Sequence, residues 1–390
     1  MVEVFEVEEL SGLLVSLRGI PEYRKNLLNI EHKLVDIIAI SIFGIIAGAE
    51  GPSDIYAWAD IHRERLIEIF QLKYGIPSRD TIRRALEAIK PEAFQKCFLE
   101  WLDVFREKNT WDKEHIAIDG KTLRRSHDKK KHLGALHIVS AWSSEQGISL
   151  GQLATEEKSN EITAIPELLD VIEMEGAVIT IDAMGTQHKI ADKILEKNAG
   201  YVLAVKDNQR KLHAAIVEYF DTLDFSAKHV SHFVEEETSH GRVEHREYVQ
   251  VTVPQDFPEA KKWNGLKTIG MVRRTHRKTN EDEEKTETRY YISSERRNGR
   301  DFARYVRRHW GIENSLHWVL DMTFREDESR IRNRNVADNI SWIRRFTITL
   351  AKQNQRKGSI VGKRRMAAWS FEFLLELIRG EPRDTIKQGK

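Results

Sequence analysis

His115-Ile116-Ala117-Ile118-Asp119-Gly120 is an apolar, β-branched run closed by a carboxylate and a glycine. Ala177-Val178-Ile179-Thr180-Ile181-Asp182 has the same form, with Ala183 after the acid. Short runs of this kind predict strands buried on both faces, inside a sheet flanked by helices. Between them, Leu136 to Trp142 and Ile148 to Leu153 predict two more strands joined by a glycine-containing turn. Glu161 to Glu175 carries Ile162, Ile165, Leu168, Leu169 and Ile172 at helical spacing. A helix over His188 to Asn198 and a strand over Tyr201 to Val205 follow. Three strands in succession, then helix alternating with strand, predict a mixed α/β sheet.

The flanking sequence has a different texture. Leu34, Ile37, Ile38, Ile42, Ile45 and Ile46 recur at helical spacing, and Gly51-Pro52-Ser53-Asp54 breaks the chain and caps the next helix. Gly75-Ile76-Pro77-Ser78 does the same before Arg79-Asp80-Thr81-Ile82-Arg83-Arg84. A serine cap and a helix exposing Arg79, Arg83 and Arg84 fit the second helix of a DNA-reading helix-turn-helix; the plainer reading is a surface helix with solvated arginines. Residues 223–293 are polar with Val/Tyr/Thr-rich runs such as 248–253 and 288–292, which predicts a β-rich insertion. Helix is expected from Asp301 to about Met322 and from Val336 to about Gln355. Four segments result: a helical 1–108, the sheet of 109–222, the insertion of 223–293 and a helical 294–390 with a basic tail.

Lys plus Arg total 62 and Asp plus Glu 61, a net charge of +1, but the balance is uneven. From Arg296 onward 22 basic residues face 11 acidic ones, so the last quarter carries +11 and the rest −10. Such asymmetry suggests a polyanionic partner. Lys121 to His132 is a basic run directly after the first acid, suited to DNA phosphates; Arg344-Arg345 and Lys363-Arg364-Arg365 are expected to add sequence-independent affinity. A single cysteine, Cys97, excludes a disulfide framework and multi-cysteine zinc sites. The start is acidic where a secretory signal is basic, and the apolar stretch 34–49 is shorter than the ~20 residues of a membrane span. A cytoplasmic, nucleoid-associated protein without a membrane partner is expected. Phosphate-cradling glycine loops and the Gly-x-Ser-x-Gly elbow are both absent from the sequence.

Side chains at the carboxyl ends of neighbouring strands project into one crevice, so Asp119 and Asp182 should converge there. Two carboxylates repel unless a hard cation neutralises them. Glu313 is a third candidate, on a helix whose Trp310, Leu316, Val319 and Leu320 can pack on the sheet. Three oxygen ligands on rigid elements suit two Mg²⁺ ions about 3.5–4 Å apart and phosphodiester chemistry. Strand-end aspartates are also common turn and cap residues, and Glu313 also fits a helix ion pair. His309, Glu313, His317 and Asp321 stack along one helix face. The zincin pattern His-Glu-x-x-His is absent, so the two histidines read as hydrogen-bonding neighbours of the acids rather than zinc ligands. Trp310 and Trp318 are expected to pack rather than stack on bases.

At this point four ordered motifs carry a resemblance. Residues 116–126 (IAIDGKTLRRS), 157–166 (EKSNEITAIP), 181–187 (IDAMGTQ) with Lys206-Asp207-Asn208-Gln209, and 309–321 (HWGIENSLHWVLD) with Arg330-Ile331-Arg332 and Asn335 resemble the H-repeat-associated, ISAs-type DDE transposases. The resemblance spans nearly the whole chain. It implies an RNase H-like catalytic core with a β-rich insertion before the glutamate helix, and an N-terminal helical domain that helps recognise element ends. Asp119, Asp182 and Glu313 would be the metal-binding triad for two Mg²⁺, with Mn²⁺ as a substitute, and would serve DNA-end cleavage and strand transfer of an insertion-sequence-type element. Double-stranded DNA and a homodimer or larger assembly on it are the implied partners. Lys121, Arg124, Arg125, Lys206, Arg308, Arg79 and Arg83 are the expected phosphate contacts, with His309 and His317 behind the acids. In the broader group with a Tyr-Arg-Glu-Lys signature an Arg precedes the glutamate by four and a Lys follows by seven. Here those positions are His309 and Leu320, so the two roles do not transfer. An inactive DNA-binding relative and a nuclease without joining activity are the alternatives.

Overall fold

A computed structural model describes residues 11–25, 30–105, 114–127, 133–155, 161–239, 241–278 and 283–379 of the chain. Among the described residues six helices come first: α1 (Ser11–Arg18), α2 (Leu34–Ile46), α3 (Pro52–Ile61), α4 (Arg63–Phe70), α5 (Arg79–Ala88) and α6 (Pro91–Phe105). Pro52 opens α3 in the first turn, where its missing N–H costs nothing. Ser78 caps α5 by accepting from the Thr81 amide at 3.2 Å. Residues 71–78 separate α4 from α5, longer than the three or four residues of a helix-turn-helix, so that motif does not form.

The core follows as β1 (His115–Leu123), β2 (Leu136–Ser143), β3 (Ile148–Thr155), α7 (Glu161–Val171), β4 (Val178–Ile181), α8 (His188–Glu196), β5 (Gly200–Val205) and α9 (Arg210–Asp221). β1, β2 and β3 form an antiparallel meander, and β4 and then β5 add in parallel on the far side of β1. The order β3-β2-β1-β4-β5 is that of an RNase H-like sheet.

The predicted insertion does form strands, β6 (Val230–Ser239), β7 (Arg242–Thr252), β8 (Thr268–Lys278) and β9 (Lys285–Ser293). It is continuous with the core. β9 pairs antiparallel with β5, from Val202 opposite Ser293 to Val205 opposite Tyr290, giving one sheet of nine strands among the described residues. Its polar sequence reflects long, half-exposed outer ends rather than a separate module.

Then come α10 (Gly299–His309), α11 (Trp318–Phe324), α12 (Arg334–Gln353), α13 (Ile360–Trp369) and α14 (Phe371–Arg379). Asn298 caps α10 through the Arg300 and Asp301 amides, and Asn333 caps α12 through that of Val336. α12 is buried along nearly its whole length. It packs on β3 and on α2, α5 and α6, so the N-terminal helices and the sheet share one core. Asn339 reinforces this by donating to the carbonyls of Leu86 and Ile89. α10 and α12 cover one face of the sheet and α7 the other, where a side chain on Gly151 would meet Leu168 and Ile172. Among the described residues no helix is long and apolar enough to cross a membrane.

Candidate active site

Register brings the two aspartates together. β1 and β4 run parallel with Ile118 opposite Ile181, so Asp119 and Asp182 follow side by side. β1 continues to Leu123 because β2 pairs with it through Leu136, so Asp119 sits where β1 outruns β4. Alternation along β1 sends Asp119 and Lys121 to the α10–α12 face and Gly120 to the α7 face. On that second face His137 and Glu161 form a buried pair at 2.5 Å, and a Cβ on Gly120 would overlap both.

Glu313 arrives on a π turn. The helix expected from Asp301 to Met322 is interrupted: α10 ends at His309, and Glu313–His317 winds as a single π turn before α11. Such widened turns recur at functional sites. This one brings His317 Nδ1 to 2.9 Å from Glu313 Oε2 and 3.6 Å from Asp119 Oδ2. Donor atoms of Asp119, Glu313 and His317 all lie within 4.8 Å of one another. Asp182 stands beside that group, with its Oδ1 accepting from the amides of Met184 at 3.0 Å and Gly185 at 3.2 Å.

Burial pushes the Asp119 carboxyl up to about 6; His317 and the Gly120 amide oppose this, while Asp182 and Glu313 add to it. The hydrogen bond from His317 holds Glu313 below the usual carboxylate range. His309 is pushed down to about 4 by burial, against the pull of Asp182, so its imidazole is neutral at pH 7. Its Nδ1 meets the Thr180 hydroxyl at 3.0 Å, Thr180 meets His115 Nε2 at 2.8 Å, and His115 Nδ1 meets Ser144 at 2.8 Å. This chain across β1 and β4 fixes the ring beside Asp182.

The expected phosphate contacts divide. Lys206 follows β5 and lines a cavity of about 180 Å³ with Asp182, His213, Arg289, His309 and Trp310. Arg124, Arg125, Arg79 and Arg83 are exposed. Arg124 lies 3.3 Å from Asp327, Arg83 pairs with Glu87 at 2.8 Å, and Arg308 pairs with Glu145. Lys121 is turned inward onto two carboxylates. The basic run 128–132 and residues beyond 379 lie outside the described residues. Arg344 and Arg345 do not face solvent: both are buried around Glu326. Lys363 and Arg364 also turn inward, donating to the carbonyls of Ala351 and Asn354 and of Thr323 and Ile45 respectively. They brace the helices instead of adding surface charge. Trp310 and Trp318 depart from expectation in the other direction, at 47% and 57% exposed.

Sequence reading missed Arg289, whose guanidinium lies 4.9 Å from the Trp310 ring centroid. It also missed Arg246 and Arg274, opposite each other on β7 and β8, which line an adjacent cavity of about 300 Å³ with Arg289, Arg307 and Trp310. Only Arg289 falls in a run read as strand, 288–292; nothing in the sequence singled out Arg246 or Arg274.

A meander of three strands with two parallel additions, and carboxylates meeting from two strands and a helix, define an RNase H-like protein with an acidic site. The chain belongs to the family described as "Transposase DDE domain", whose model matches residues 110–350; a second, "DDE_Tnp_1-associated", matches residues 14–102. It is similar to "Putative transposase YncI" of Escherichia coli O157:H7, at 42% identity over 95% of both chains. It is also similar to "H repeat-associated putative transposase YhhI" of Escherichia coli K12, at 38% identity over 95% of this chain and 99% of the other. Among solved structures, a piggyBac transposase synaptic complex with hairpin DNA aligns with 98% of this chain and 80% of its own, at TM-score 0.41 and 12% identity.

Proposed function

We propose that the chain cuts DNA at the ends of an insertion-sequence-type element and joins the released 3′-hydroxyl to target DNA, with Asp119, Asp182 and Glu313 as the metal-binding acids. The observation that carries this reading is that Asp119 lies beside Asp182 by strand register and has donor atoms within 4.8 Å of Glu313 and His317, so residues 119, 182 and 313 come to one end of the sheet. Burial and two neighbouring acids raise Asp119, which is the electrostatic condition a cation relieves. The donor set is mainly carboxylate oxygen, which fits Mg²⁺ or Mn²⁺, with the His317 nitrogen close by. Bound divalent cations supply Lewis-acid activation of the attacking oxygen and neutralise charge on the leaving one.

The chain's own groups supply position and sign. His317 orients Glu313, the Met184 and Gly185 amides hold Asp182, and neutral His309 leaves the aspartates as acceptors. Lys206 and Arg289 stand beside Asp182 to grip a phosphate backbone; Arg124 and Arg125 extend that surface, and Arg79 and Arg83 offer a second one on the N-terminal helices. Two element ends call for two copies of the chain.

The test is end cleavage of the flanking inverted-repeat DNA in Mg²⁺ by wild type and by Asp119→Asn, Asp182→Asn and Glu313→Gln. Loss of at least about 10³-fold with end binding retained supports the reading. Supplying a pre-cut 3′-hydroxyl end and a target plasmid separates joining from cutting alone. Cleavage that survives all three substitutions refutes the assignment.

A further inference from the structure

Lys121 lies two residues beyond Asp119, on the same face of β1. Only 7% of it is exposed. Its Nζ sits 2.6 Å from Asp321 Oδ1 and 2.7 Å from Asp327 Oδ1. Asp321 belongs to α11, which continues the π turn of Glu313, and Asp327 to the 3₁₀ turn just after it. One ammonium therefore ties the strand of the first acid to the helical rod of the third.

The tie is backed from behind. Glu326, beside Asp327, is fully buried; it accepts from the Ser341 hydroxyl at 2.9 Å and lies 3.5 Å from both Arg344 and Arg345. Arg345 in turn donates to Ser140 at 3.2 Å, the residue opposite Asp119 on β2. The turn that receives Lys121 is thus also anchored to the strand next to Asp119.

We propose that Lys121 is a positioning residue, whose bridge to Asp321 and Asp327 sets the separation of Asp119 from Glu313. A lysine that serves a DNA phosphate keeps its ammonium in solvent; this one is held by two carboxylates. Without it Asp321 and Asp327 face each other with the exposed Arg124, 3.3 Å from Asp327, as the remaining neighbouring cation, and their repulsion moves α11, with Glu313, off the strand.

This rests on the transposase reading only for its DNA assay. Mn²⁺ titrated into the full-length, DNA-free chain, followed by the resonance of the free ion, is the primary test. Charge alone predicts that Lys121→Met tightens Mn²⁺ binding, because a positive neighbour is lost. Positioning predicts the reverse, a weakening of about 10-fold or more. Lys121→Arg, which keeps the charge and both ion pairs, should restore most of the affinity. Adding Asp321→Asn to Lys121→Met removes the carboxylate–carboxylate repulsion and should recover part of the lost affinity.

On DNA, single-turnover end cleavage by Lys121→Met should fall about 10²-fold. The log–log salt slope of end binding should stay unchanged, whereas loss of a phosphate contact lowers it by about one. Unchanged or tighter Mn²⁺ binding, a reduced salt slope, or an arginine variant as impaired as the methionine one overturns the proposal. A wild type that binds Mn²⁺ but cuts no DNA refutes the transposase reading alone, and the Mn²⁺ series still decides on Lys121.

Discussion

Replacing Asp338 with asparagine removes one buried charge without changing the shape of the side chain. Asp338 sits on α12, 7% exposed, and its carboxylate accepts from the Gln152 side chain on β3. Burial pushes its carboxyl from 3.8 up to about 7; Gln152 and Arg345 oppose this, and Glu92 and Glu326 add to it. The folded chain therefore holds a proton that the unfolded chain has already released, so stability falls as pH rises between the two values. The full penalty is on the order of 4 kcal/mol above pH 7, and more than half of it falls between pH 5 and pH 8. Asparagine keeps an acceptor for Gln152 and has no proton to lose. Urea unfolding midpoints at pH 5 and pH 8 measure the effect. Wild type should lose clearly more stability than Asp338→Asn over that interval, and the variant should be the more stable protein at pH 8. Parallel pH profiles for the two proteins would refute the assignment of a raised pKa to this carboxyl.

Three further outcomes follow from the same geometry. Glu326→Gln leaves Arg344 and Arg345 buried without their shared counter-ion and should destabilise by about 3–5 kcal/mol, read as a lower urea midpoint at pH 7. Gly120→Ala drives a methyl into the His137–Glu161 pair; a loss of about 1–3 kcal/mol is expected, with weaker cleavage because Asp119 is the adjoining residue. Mn²⁺ affinity of the DNA-free chain should fall as pH drops through about 6, where Asp119 takes up a proton, and should level off above pH 7 in equilibrium titrations.

Much of the core was legible because its signals are local. The apolar runs ending at Asp119 and Asp182 are strands in parallel register, and Leu136, Ile148 and Tyr201 mark strands close to where they form. What was not legible depends on partners distant in sequence. Arg344, Arg345, Lys363 and Arg364 read as surface charge because nothing near them announces Glu326 or the carbonyls they meet. Lys121 misled for the same reason, its acids lying about two hundred residues away. The π turn at Glu313–His317 was hidden because Leu316, Val319 and Leu320 satisfy ordinary helical spacing equally well. The three candidate acids were singled out from strand ends and the four-motif resemblance; the structure sets Asp119 beside Asp182 by register and close to Glu313.

α12 sets the schedule on which this protein can mature. α2, almost wholly apolar, is made 288 residues before α12 begins, and α12 is one of its main cover elements. At ribosomal speeds of about 5–20 residues per second, that interval is roughly 15–60 s. For all of it the nascent N-terminal helices present a greasy flank with no lid, so trigger-type chaperones have a long window to engage. Messages broken before codon 334 would yield a sticky fragment rather than a shortened, soluble one.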